Sequence, residues 1–250
     1  MAEFDIVKGL ASVCSRINAV CLKNGLDFKP RLVAVSKTKS KELIISAYAA
    51  GQRNFGENYI QELSEKSNDA EILEKCKDIK WHFIGNLQRN KVNKLVSSPG
   101  LYLVETVDSE KLASALDTAW QKLKKEEPLR IMVQVNTSRE EEKGGCDPKK
   151  SCDLVEFVIK SCPSLKFIGL MTIGKYGYDV SKGPNPDFLA LLECRDNVCA
   201  KLNFNPKDVE LSMGMSDDFE QAIELGSTSV RVGTAIFGHR EPKMKTETNN

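Results

Sequence analysis

Short β-type runs recur along the chain with helical patterns between them, and this alternation constrains the fold more than any other feature. The runs are "RLVAVS" (31–36), "QRNFGEN" (52–58), "KWHFIGN" (80–86), "LYLVETV" (101–107), "LRIMVQVN" (129–136), "FIGLMTIG" (167–174), "VELSMGM" (209–215) and "STSVRVGTAIFG" (227–238). Several are apolar nearly throughout, as strands buried on both faces of a parallel sheet are. Between them, "SEKLASALDTAWQKLKK" (109–125) places Leu112, Leu116, Ala119 and Leu123 on one face, opposite a charged one. "DLVEFVIKSC" and "DFLALLECRDNVCAKL" behave likewise, and residues 4–24 predict a leading helix through Phe4, Val7, Leu10, Ala11, Ile17 and Val20. Eight βα repeats over 250 residues match the usual size of a (β/α)8 barrel. A doubly wound open sheet shares the alternation, because periodicity does not report closure. The expected fold is α/β, a single TIM barrel with an extra N-terminal helix. No Pro/Ser linker divides it, so residues 1–250 are expected to form one domain, with a core over about 28–240 and a disordered tail at 241–250.

Composition removes several classes of function. Lys plus Arg total 36 and Asp plus Glu 35, a balance of +1 that offers no basic field for nucleic acid and no polybasic membrane patch. The opening "MAEFDIVKGL" lacks the apolar core of a signal peptide, and no apolar stretch approaches the roughly 20 residues of a membrane span. The eight cysteines form no CxxC pair, and free thiols in a reducing cytosol are expected. His82 and His239 are the sole histidines, so no metal site is expected. A cytoplasmic monomer is the expected state.

The residues that could carry chemistry sit at strand ends. In "LSMGMSDDFEQAIELG" (211–226), Ser212, Gly214 and Ser216 bracket the turn from a strand into a helix. Ser216 or Asp217 can cap that helix, with Glu220 completing a capping box. Hydroxyls and backbone N–H groups at such a turn suit an anion, although a serine N-cap is commonly structural. Gly233 and Thr234 follow the eighth run, and in barrels phosphate commonly binds at the loops after strands seven and eight. Arg231 interrupts the apolar "SVRVGTAIF", where a charge is costly unless it is paired with a carboxylate or faces a ligand. Val33, Val35 and Lys37 share one face of the first run, so Lys37 reaches the C-terminal rim, where burial and a nearby cation would lower its pKa. A neutral amine there could add to an aldehyde. Lys39 and Lys41 compete with it on periodicity alone, and each could equally be a solvated charge. Asn58 and His82 are polar residues at strand ends; His82 is either a satisfied core histidine or a ligand contact. The long connections "NTSREEEKGGCDPKK" (136–150) and "GKYGYDVSKGPNPDF" (174–188) read as surface loops or lids at the same mouth.

"LVAVSKTKS", "NFGENYIQEL", "WHFIGNLQRNK", "GLMTIGKYGYD" and "LSMGMSDDFEQAIELGSTSVRVGTAIFG" together resemble the pyridoxal-phosphate homeostasis protein family, relatives of the alanine racemase barrel. The segments span residues 32 to 238 and are specific as a set, and "GLMTIG" followed by "GPNPDF" resembles the eukaryotic branch. The resemblance implies a barrel of the type III-like pyridoxal 5′-phosphate (PLP) fold. It places the Schiff-base lysine at Lys37, phosphate contacts at Ser212, Met213, Ser216, Gly233 and Thr234, and the ring-nitrogen contact at Arg231. Asn58 and His82 would lie near the cofactor. A permanent guanidinium beside the ring nitrogen disfavours its protonation and leaves PLP a poorer electron sink. Racemase relatives add a tyrosine from a second domain; here the chain is expected to lack one, with Tyr176 and Tyr178 the obvious stand-ins. The implied function is intracellular buffering and delivery of PLP, with PLP-dependent apo-enzymes as recipients and no robust turnover. The alternatives are an amino-acid racemase or other PLP enzyme, and a barrel enzyme using Lys37 as an aldolase-type base on a phosphorylated metabolite.

Overall fold

The computed structural model describes residues 5–238. The expected tail at 241–250 and His239 lie outside the described residues. Asp5 caps the leading helix α1 (Ile6–Lys23), its carboxylate accepting from the Lys8 N–H at 3.1 Å. The chain then alternates: β1 (Arg31–Val35), α2 (Lys41–Ala49), β2 (Asn54–Glu57), α3 (Ile60–Ser67), α4 (Ala70–Lys75), β3 (Lys80–Phe83), α5 (Val92–Val96), β4 (Leu101–Val107) and α6 (Glu110–Lys122). It continues through β5 (Leu129–Gln134), α7 (Ser151–Ser161), β6 (Leu165–Met171), α8 (Pro186–Leu202), β7 (Glu210–Ser212), α9 (Phe219–Glu224), β8 (Ser229–Val232) and α10 (Thr234–Phe237). The strands pair in parallel, β1 to β2 and onward to β8, and β8 returns to β1, so the sheet is a closed eight-stranded barrel. The open-sheet rival is thereby removed.

Closure gives each strand two buried faces of different character. Leu32, Ala34, Phe55, Trp81, Val104 and Ile131 face outward and share one apolar core with the surrounding helices. The helix α1 adds Ile6, Leu10, Val13, Ile17 and Val20 to that core and packs against α2, α9 and α10, bridging the first and last βα units. Strand neighbours in register point to the same side. Val33 pairs with Arg231, Val35 with Gly56, Gly56 with His82, and His82 with Leu103. These residues face into the barrel, where Leu103, Met132 and Met171 form a small separate apolar cluster. The rest of the interior is unusually polar for a barrel, whose inner layers are normally branched aliphatic residues.

Two expected runs are shorter than the pattern suggests. The run 209–215 ends as strand at Ser212, because Gly214 takes a positive φ of 96° and turns the chain back onto α9. A Cβ on Gly214 would stand 2.6 Å from Ala222 Cβ. The run 227–238 is strand only to Val232, and Thr234–Phe237 forms a helical turn. The expected capping box of α9 does not form. Asp218 is the N-cap residue, its carboxylate accepting from the Met215 N–H at 2.6 Å, while Glu220 is drawn away by a two-pronged bond to Arg16 of α1 at 3.0 and 2.8 Å. All eight cysteines are free thiols, and burial first of all pushes Cys146 up to about 12 and Cys162 up to about 11.

Gly169 marks the tightest approach in the wall. A Cβ there would stand 2.1 Å from the Glu210 carbonyl oxygen of β7, opposite the register shift between Ile131 and Met132 of β5. Gly169→Ala is expected to cost about 1–3 kcal/mol or more, as overpacking against backbone does. The urea midpoint measures it; an unchanged midpoint would mean that β6 and β7 separate at no cost.

Candidate functional site

At the C-terminal mouth, closure brings the end of β8 beside the end of β1. A Cβ on Gly233 would meet the Val35 carbonyl oxygen at 3.3 Å and Val35 Cβ at 3.4 Å. Lys37, half-buried, follows Val35 by two residues in a turn whose next residue, Thr38, has a positive φ of 63°. On the other side, the Arg231 N–H donates to the Gly214 carbonyl at 3.0 Å, which ties the 213–218 turn to β8. The loops carrying Met213, Ser216, Gly233, Thr234 and Lys37 are therefore consecutive around one mouth. Asn58, after β2, completes the arc. Its side-chain oxygen is buried without a hydrogen-bond partner among the described residues, and the loop after β3 presses against it so closely that a Cβ on Gly85 would overlap the Asn58 carbonyl.

The two competing lysines are held elsewhere. Lys39 donates to the Phe237 and Gly238 carbonyls at 3.0 and 3.1 Å, and Lys41 pairs with Asp69 and Glu71 at 3.1 and 3.2 Å.

Beneath the mouth, a hydrogen-bonded chain crosses the interior. Arg231 donates to the Ser212 hydroxyl at 2.6 Å and to the Thr172 carbonyl at 2.7 Å. The Ser212 hydroxyl donates to Glu105 Oε2 at 2.5 Å, and Glu105 Oε1 lies 2.7 Å from His82 Nδ1. His82 Nε2 lies 3.0 Å from the Asn54 side-chain oxygen. Glu105 and His82 are fully buried and Arg231 is 4% exposed. Burial would raise the Glu105 carboxyl, but the His82 hydrogen bond, the charges of His82 and Arg231 and the Ser212 hydroxyl hold it below the ordinary carboxylate range. Burial lowers Arg231 in turn, against the pull of Glu105 and Asp218. Both open readings of Arg231 thus meet in one geometry: it answers a carboxylate through a serine, and it is a fixed cation under the mouth.

A second polar cluster lies behind the wall, between the sheet and α3. Lys66 Nζ is 2.7 Å from each of Glu57 Oε1, Glu62 Oε1 and the Ser36 carbonyl. The Ser36 hydroxyl donates to Glu57 Oε1 at 2.6 Å, and the Thr38 N–H to Glu62 Oε1 at 2.5 Å. Burial pushes the Glu57 carboxyl up, with Lys66 opposing.

Sequence reasoning singled out Lys37, Ser212, Arg231 and the phosphate-loop residues but passed over Glu105, Asn54, Glu57, Glu62 and Lys66. Glu105 carried a usable signal: it is a carboxylate inside the apolar run "LYLVETV", the same anomaly as Arg231 in its own. The long loops do lie at this mouth. Lys143 of the first donates to the Gly174 carbonyl of the second at 2.5 Å. Tyr176 is 74% exposed, and the Tyr178 hydroxyl donates to the Pro184 carbonyl at 3.4 Å.

Comparison with known proteins gives the family and the fold. The alanine racemase N-terminal domain family matches residues 15–241. The pyridoxal phosphate homeostasis protein of Bos taurus is 52% identical over 249 residues, covering 98% of this chain and 91% of the relative. Its Schizosaccharomyces pombe counterpart is 43% identical over 216 residues, 86% of each. Among solved structures, PipY of Synechococcus elongatus with PLP bound superposes at a TM-score of 0.77 with 31% identity, covering 94% of this chain and 100% of that one. Alanine racemase from E. faecalis shares the fold at a TM-score of 0.61 and 19% identity, with 58% of its chain covered.

Glu105 makes stability pH-dependent with a definite sign. Its folded-state pKa is depressed, so its contribution is complete above the ordinary value of 4.5 and fades as pH falls through the folded value. Glu105→Gln is expected to lower stability at pH 7 by about 3–5 kcal/mol, because Arg231 is left buried without its counter-charge, and to flatten the acid limb of the stability profile. Urea midpoints of both proteins from pH 7 to acid check it; parallel profiles would show that Glu105 is not ionised in the folded barrel.

Proposed function

The chain belongs to the pyridoxal phosphate homeostasis protein family, built on the alanine racemase N-terminal barrel, and on that premise we propose that it holds PLP on Lys37 for intracellular buffering and delivery. The observation that carries the reading is one mouth that gathers a half-buried lysine, two hydroxyl-bearing turns and a buried guanidinium from opposite ends of the sequence. The residues suit the group. Ser216 and Thr234, with the backbone at Gly233, offer donors to a phosphate, whereas the Met213 N–H already donates to the Ser229 carbonyl at 3.2 Å; Asn58 brings an unused buried acceptor; Arg231 is fixed from two sides. Bound PLP supplies an aldehyde for a lysine amine and an electron-withdrawing ring.

In this reading the chain's own residues do the following. The neutral Lys37 amine would hold the aldehyde carbon through its nitrogen, the aldehyde oxygen leaving as water. Ser212 is committed to Glu105 and Arg231, so it shapes the floor and orients the guanidinium. His82 lies within the same floor and holds Glu105. Arg231, a permanent cation, opposes protonation of a ring nitrogen set beside it. That favours holding over carbanion chemistry and supports a role without robust amino-acid turnover. Residues 1–250 act as one PLP-binding domain, a cytoplasmic monomer that passes PLP to apo-enzymes by exchange of amines. Among the described residues, no helix is long and apolar enough to cross a membrane.

Incubation with PLP, borohydride reduction and peptide mapping test this. A reduced pyridoxyl group on Lys37 is expected, lost in Lys37→Ala and kept in Lys39→Ala. A colourless protein without an adduct would favour the aldolase-type reading. Turnover of an amino acid at about 1–10³ s⁻¹ would favour a racemase or related enzyme. Ser216→Ala or Thr234→Ala is expected to weaken PLP binding by about 1–3 kcal/mol in a spectral titration, and unchanged affinity would put the phosphate elsewhere.

A further inference from the structure

We infer that the triad of buried Glu57 and Lys66 and half-buried Glu62, on the outer side of the barrel wall, positions Lys37 by fixing the backbone on either side of it. The inference rests on the proposed role of Lys37. Lys37 itself follows a strand, in a turn where a non-glycine residue, Thr38, holds φ at 63°. Such a conformation is unfavourable for threonine and persists only where the surroundings impose it. Here both neighbours of Lys37 are held by one helix. The Ser36 carbonyl accepts from Lys66 Nζ at 2.7 Å, and the Ser36 hydroxyl donates to Glu57 at 2.6 Å. The Thr38 N–H donates to Glu62 at 2.5 Å. Lys66 joins the two carboxylates, at 2.7 Å to each.

The burial of the Glu57–Lys66 pair argues for a task beyond stability. Glu57 is fully buried, Lys66 is 9% exposed, and Glu57 Oε2 has no hydrogen-bond partner among the described residues. Sequestered ion pairs of this kind often add little net stability over an apolar pair, and their best-attested use is to specify one arrangement. The arrangement specified here is the turn 36–38. Ser36 and Glu57 face outward, because their neighbours Val35 and Gly56 face inward. The clamp therefore grips the turn from behind and leaves the inner side of the wall to Lys37. Reaction of an amine with a bound aldehyde depends steeply on placement; a misplacement of about 1 Å can cost about 100-fold.

The cleanest test is Glu62→Ala. It removes the acceptor of the Thr38 N–H, leaves Lys66 paired with Glu57, and puts a strong helix former in the first turn of α3. Two ligands separate positioning from binding. The first is PLP, followed as the reducible Lys37 adduct; the second is pyridoxine 5′-phosphate, which carries an alcohol in place of the aldehyde. The expected result is adduct formation slowed about 10- to 100-fold, with a shifted pH dependence and unchanged affinity for pyridoxine 5′-phosphate. Glu57→Gln/Lys66→Met, which removes both buried charges together, is expected to slow the adduct likewise in folded protein. Wild-type adduct rates in Glu62→Ala would overturn the inference. So would equal losses for both ligands, which would mean a general loosening of the mouth. If wild-type protein forms no Lys37 adduct, it is the proposed function that fails.

Discussion

The barrel is organised around a buried carboxylate and a buried guanidinium that answer each other through a serine hydroxyl. Glu105 is fully buried and Arg231 nearly so, and neither could stay there alone, since an isolated ion in this interior costs several kcal/mol or more. Ser212 connects them with bonds of 2.5 and 2.6 Å, His82 takes the other oxygen of Glu105, and Asn54 lies against His82. With the Thr172 carbonyl, at the end of β6, receiving the second arm of Arg231, the chain ties β2, β3, β4, β7 and β8 to that edge of the mouth. Much of the inner face is polar because it is built from this chain, beside the apolar cluster of Leu103, Met132 and Met171 and the valines Val33 and Val35 of β1.

The same device recurs on the other side of the wall. Glu57 and Lys66 are buried together between β2 and α3, and they reach the backbone that flanks Lys37. One polar cluster thus builds the floor of the mouth while a second holds its edge from outside. Between them, the lysine, the Gly233–Thr234 turn and the 213–218 turn need no long side chains to find one another. Their backbones are already set by strand pairing and by Gly233 lying against Val35.

Much of this was legible locally. The apolar runs, the leading helix and the helix over 109–125 follow from side-chain periodicity, and they appear within a few residues of their expected bounds, except that the run 227–238 is strand only to Val232. Arg231 could be singled out because a charge in an apolar strand is expensive wherever the strand lies. Glu105 carried the identical signal. Lys66 carried none, since four residues after Glu62 it reads as an ordinary solvent-facing helix pair, and only the packing of α3 on the sheet buries it. The capping box at Asp217 and Glu220 was locally sound but lost to Arg16, which approaches from α1 at the far end of the chain.

The sequence by itself determined the elements, their order and the charges that must be answered, because alternation, helical spacing and the cost of burying an ion are properties of a few neighbouring residues. It also carried enough family likeness to show the family. Only the tertiary structure decided that the sheet closes and which groups do the answering. Ser212 and Glu105 meet across 107 residues, and Lys39 and Phe237 across 198. Such pairings depend on where β8 returns to β1, a long-range choice that no local pattern encodes.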